Sequence, residues 1–149
     1  MNSFKYYVPT KVILGKGAEK ETGKQIKAQK GKRVLIHYGS GSVVRSGLLK
    51  RVEESLEAAG IFYVELGGVV PNPRLSLVYE GIALAKSKNI DFLLAVGGGS
   101  VIDSAKAIAY GAANEGDVWD FYDGRRRASG CLPVGAVVTI AAAGSEMSN

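Results

Sequence analysis

The chain has 149 residues, 46% of them hydrophobic, which is the length of one domain with ample material for a core. Its net charge of +5, from 19 Lys and Arg against 14 Asp and Glu, is scattered, and even the densest run, Arg125-Arg126-Arg127, lacks the aromatic platform of a nucleic-acid binder. No apolar stretch approaches the ~18 residues that cross a bilayer; with a single cysteine, Cys131, and no signal-peptide plan at the start, the expected setting is cytoplasmic.

Residues 4–14 mix β-formers around Pro9 and run into Gly15-Lys16-Gly17, which predicts an outlying strand or hairpin arm and, through it, a homo-oligomer. Residues 18–29 are polar helix formers closed by Gly31. Residues 33–38 form the next predicted strand, and Gly39-Ser40-Gly41-Ser42 turns it into a helix over 43–59 that stops at Gly60. A strand follows over 61–66. Leu77, Val78, Ile82 and Ala85 then mark a helix over 75–87. Residues 90–96 are continuously apolar, as a parallel strand buried on both faces requires. Gly97-Gly98-Gly99-Ser100 leads from it into a helix whose apolar face carries Val101, Ile102, Ala105, Ile108 and Ala109. A loop spans 122–130, and residues 132–140 give a last strand, broken early by Pro133. The alternation predicts an α/β fold, a doubly wound, mainly parallel, Rossmann-like sheet. The chain ends just after a strand, where another helix is due, so residues 1–149 read as one domain cut near its boundary.

The glycine turn at 97–99 carries the chemistry. A helix N-terminus offers unpartnered N–H groups and partial positive charge, and side-chain-free residues let a diphosphate approach the backbone. The plain alternative is a tight turn completed by a capping box of Ser100 and Asp103. The first turn lacks the G-x-G-x-x-G fingerprint, since Val44 stands where its last glycine belongs. NAD sites commonly hold the ribose 2′-OH with an acid at a strand end. Residues 37–42 contain none, so Ser40, Ser42 and the backbone lean toward NADP. Neither G-x-S-x-G nor GxxxxGK[ST] occurs, and one histidine, His37, cannot build an imidazole-rich metal site.

GSGSVVRSG at 39–47, PNP at 71–73, AVGGGSVIDSAKAIA at 95–109 and TIAAAGSE at 139–146 together resemble the nucleotide-binding half of the iron-containing (group III) alcohol dehydrogenases, in their NADPH-dependent butanol dehydrogenase branch. The resemblance implies hydride transfer between NADP(H), or less readily NAD(H), and an alcohol or aldehyde. It implies a second, all-helical domain, absent here, holding Fe or Zn through an aspartate and histidines; this chain alone is then expected to bind no metal and to be inactive. It assigns Gly98, Gly99 and Ser100 to the diphosphate, with Asp103 supporting the helix start. Gly39, Ser40 and Ser42 fall to the adenosine ribose, Asn72 to the nicotinamide side, and Thr139, Ile140 and Ser145 to the rest of the cofactor. Ala143 replaces a residue that often bears a hydroxyl. Two alternatives stay open: a fragment of a glycerol dehydrogenase or dehydroquinate synthase relative, and a stand-alone, non-catalytic nucleotide-binding module.

Overall fold

The structure, a computed structural model, describes residues 3, 7–71, 74–140, 142 and 144–147. Four strands, β1 (Arg33–Gly39), β2 (Phe62–Val69), β3 (Phe92–Gly97) and β4 (Val134–Val138), form one parallel sheet in the order β2-β1-β3-β4. Every residue of β3 is buried, as its unbroken apolar run requires. Successive side chains of a strand point to opposite faces. Val34 and Ile36 with Phe92, Leu94 and Val96 therefore meet α1 (Thr22–Ala28) and α3 (Leu48–Ala58), which contribute Ile26, Val52 and Leu56. Leu35, Leu93 and Ala95 face the other way, toward α4 (Leu75–Ser87) and α5 (Gly99–Ala113) through Val78, Ala85, Ile102 and Ile108. The two apolar faces make the fold a three-layer α/β sandwich.

Several expectations need correction. The described residues 7–14 form no strand, and Tyr7 and Leu14 are 83% and 97% exposed; β-formers make a strand only where another strand lies alongside. The helix expected over 43–59 is two, α2 (Ser42–Arg45) and α3, because Gly47 turns left-handed at φ 77°. The helix over 18–29 opens as a 3-10 turn at Ala18–Glu21, and the left-handed residue beyond it is Lys30, not Gly31. Gly60 does end α3 in the left-handed region, at φ 70°. A one-turn helix, α6 (Trp119–Tyr122), precedes the loop 123–130, and a 3-10 turn covers Ser145–Met147.

Gly23 shows how closely α1 and α3 approach. Its N–H donates to Ser55 Oγ at 2.9 Å, and a Cβ built on it would lie 2.2 Å from the Ser55 carbonyl oxygen. Alanine normally favours a helix over glycine by about 1 kcal/mol, but a backbone carbonyl cannot swing aside as a side-chain tip can. Gly23→Ala should therefore destabilise the chain by about 2 kcal/mol net, in the range of overpacked cores; a denaturant midpoint at or above wild type would contradict this contact.

Candidate functional site

The carboxyl ends of β1 and β3 lie side by side, with Tyr38 paired to Val96, and β4 adjoins β3 with Val138 beside Gly97. β2 lies on one side of β1 and β3 on the other, so chain connections diverge from this point, where open α/β sheets place their ligands.

The three glycines at this end differ in what the fold asks of them. Gly97 sits at φ 155°, where L side chains are strained, and a Cβ would lie 2.8 Å from Val101 Cγ2. Gly99, the first residue of α5, has Ser145 Oγ 3.2 Å from the place of its missing Cβ. Gly98 has neither constraint: its φ of −95° suits any residue, and among the described residues nothing lies within 4 Å of a Cβ built on it. The fold does not ask for glycine at 98, and the space above it is open.

Gly98 is also the N-cap of α5, with no side-chain cap. The capping box of Ser100 and Asp103 does not form, because the helix begins one residue before Ser100; Asp103 is exposed on the first turns. The Val101 N–H donates to the Gly98 carbonyl at 3.1 Å. The N–H groups of Gly99 and Ser100 precede that first bond, in the position of orphan donors at a helix N-terminus.

Other expected residues gather nearby. The Thr139 N–H donates to the Gly97 carbonyl at 3.0 Å, which fixes the start of the 139–146 segment beside the glycine turn, and Ile140 is exposed. Buried Ser145 packs on Gly99, and its carbonyl accepts from Lys106 Nζ at 2.5 Å, so α5 holds the tail turn at both points. On the β1 side, Gly39 stands 3.5 Å, measured from its missing Cβ, from the Val69 carbonyl, while Ser40 and Ser42 are exposed at the same end of the sheet. Asn72 and Ala143 lie outside the described residues. A cavity of about 290 Å³ bounded by Gly68, Val70, Arg74, Ser76, Leu77 and Glu80 opens at the end of β2. A wider groove, about 630 Å³, lies among Lys27, Lys30, Lys32 and Asp91. It is at the amino ends of the strands, and Asp91 there already accepts the N–H groups of Lys32 and Arg33 at 3.1 and 3.0 Å.

His37 is fully buried. Its Nδ1 lies 2.8 Å from the Leu66 carbonyl oxygen, which can only accept, so Nδ1 carries the proton; Nε2, 2.8 Å from Ser104 Oγ, then accepts from the hydroxyl. Burial pushes this imidazole below the ordinary histidine range, against the smaller opposing effect of the Leu66 carbonyl. Both nitrogens are engaged in tying β1 to β2 and to α5, so the packed reading of this lone histidine fits the geometry.

Residues 9–149 match the sequence profile of the iron-containing alcohol dehydrogenases. The probable NADH-dependent butanol dehydrogenase 1 of Bacillus subtilis is 51% identical over 149 residues, all of this chain and 38% of that protein. The NADPH-dependent aldehyde reductase YqhD of Escherichia coli is 40% identical, over 98% of this chain and 38% of its own length. The crystal structure of an NADH-dependent butanol dehydrogenase A from Thermotoga maritima superposes with a TM-score of 0.93 at 44% identity, covering 95% of this chain and 36% of that one. The chain thus spans less than two-fifths of the length of these relatives. Its sequence and its fold agree: the chain belongs to the iron-containing alcohol dehydrogenase family.

Proposed function

We propose that this chain is a dinucleotide-binding domain, the cofactor-holding part of an oxidoreductase that moves a hydride between a nicotinamide cofactor and an alcohol or aldehyde. The observation that carries the reading is the open space above Gly98, at the head of a 15-residue helix whose first donors point away from its own ladder. A diphosphate fits there against the backbone of Gly98, Gly99 and Ser100. Gly39, Ser40 and Ser42 then take the adenosine ribose across the β1–β3 junction, Thr139, Ile140 and Ser145 border the remainder, and Asn72 belongs to the nicotinamide side. NADP is the preferred cofactor, since no acid occupies 37–42. Relatives named for NADH and for NADPH both match the chain, so the preference rests on the turn alone.

The family name implies iron. Among the described residues no His, Cys, Asp and Glu side chains gather in groups of three or more, and His37 has both nitrogens committed. These residues do not fit the metal. Hydride transfer needs a group that stabilises the developing alkoxide, so the chain alone should bind cofactor without turnover.

Titrating the 149-residue chain with NADPH and NADH, followed by nicotinamide fluorescence, tests the reading. Saturable binding without alcohol-dependent reduction of NADP is expected. Absence of binding of either nucleotide to the folded chain would overturn it.

A further inference from the structure

We propose that Arg45 is the specificity-determining residue for NADP(H), its guanidinium taking the phosphate on the ribose 2′ position. The proposal rests on the nucleotide reading above and goes beyond it by naming the group that separates the two cofactors.

Arg45 closes α2, which follows the β1 turn directly. Its own N–H donates to the Gly41 carbonyl at 2.9 Å, and its side chain folds back over the same residue. A Cβ on Gly41 would lie 2.5 Å from Arg45 Nη1 and 3.4 Å from Cζ. Gly41 has φ 174°, extended backbone that any residue adopts, so its conformation does not require glycine. What the bare Cα supplies is room for the guanidinium, which lies over the turn while the residue stays exposed to an incoming ligand.

The charge there is unmatched. Arg51, Arg125 and Arg126 pair with Glu19, Asp123 and Asp120, whereas Arg45 has no ion pair among the described residues. The turn itself contributes no acid, and Ser40 and Ser42 present exposed hydroxyls beside it. NADP differs from NAD by one phosphate on the adenosine ribose. A planar guanidinium with several fixed donors matches a phosphate in two parallel bonds, and an arginine near the first strand end is one way a dinucleotide fold accommodates that group. The span from the head of α5 to this turn runs along the adjacent ends of β3 and β1, as a dinucleotide laid across the strand ends requires.

The test compares nucleotides that differ only in this phosphate. Wild type, Arg45→Gln and Arg45→Lys are titrated with NADPH and NADH, and with adenosine 2′,5′-bisphosphate and 5′-AMP, after circular dichroism confirms each fold. Arg45→Gln should weaken NADPH and the bisphosphate roughly 10- to 100-fold, as loss of a charge-assisted phosphate contact does. NADH and 5′-AMP should stay within about twofold, and Arg45→Lys should fall between. An unchanged NADPH-to-NADH affinity ratio in Arg45→Gln, with wild type still binding both, overturns this assignment and leaves the nucleotide reading standing. If wild type binds none of the four probes, the nucleotide reading fails and the assignment goes with it.

Discussion

Gly98→Val is expected to remove nucleotide binding from a chain that still folds. A Cβ there meets no atom of the described residues within 4 Å, and valine adopts the existing backbone without strain, because φ is −95°. Its fold cost is limited to exchanging glycine for a poorer N-cap, under about 1 kcal/mol. The ligand, by contrast, loses the approach to the helix head and with it the orphan donors, which should weaken NADPH at least about 100-fold, or ~2.7 kcal/mol. The adjacent position supplies the control. Gly97→Val meets Val101 at 2.8 Å and a left-handed φ of 155°, so it should lower stability by about 1–3 kcal/mol. Urea unfolding and NADPH titration of the two variants decide the matter: equal nucleotide affinity in Gly98→Val would show that the open space is not the ligand's.

His37→Ala should destabilise the chain by about 3 kcal/mol. It empties an imidazole-sized volume between the sheet and α5 and leaves the Ser104 hydroxyl without its buried partner. The same residue makes stability depend on pH. Since its folded pKa lies below the ordinary 6.5, the unfolded chain binds the proton more readily, and stability present above pH 6.5 is lost as the pH falls below it. Glu53 acts in the opposite sense. Burial first, and then the hydrogen bond and charge of Glu65, push its carboxyl up to about 7, so acidification from pH 7 stabilises through that group. In wild type the two partly cancel. In Glu53→Gln the loss below pH 6.5 should stand out, and because His37 is the chain's single histidine it belongs to that ring. Denaturant midpoints of Glu53→Gln that stay flat from pH 7.5 to 5.5 would contradict the buried-neutral assignment.

What the sequence made legible follows physical range. The helix at 75–87 and the strand leading into the glycine turn announce themselves by periodicity and by an unbroken apolar run, which are local properties, and both appear where expected. The break at Gly47 was hidden because apolar spacing continues across it while a single backbone angle decides the split. The N-terminal segment misled for the converse reason: β-propensity describes a side chain's fit to a neighbouring strand, and residues 7–14 have none. At the candidate site, the glycine run was visible as a motif, but its division into two structural glycines and an unconstrained one depends on Val101 and Ser145 being brought to it. Arg45 gave no signal in one dimension, since an arginine after a turn is ordinarily a solvated charge.

The tie made by His37 also bears on how the chain acquires its shape as it is synthesised. Its two partners are 29 and 67 residues away in sequence, and both come after it. β1 is thus made early and lies inside the sheet, yet both strands that flank it emerge later. Closing loops of this length is entropically unfavourable before any contact rewards it, and topologies rich in such pairings fold slowly. Until the ribosome has passed residue 104, the imidazole has at most one of its two buried partners. The helix that heads the candidate site is therefore also the piece that seals the interior.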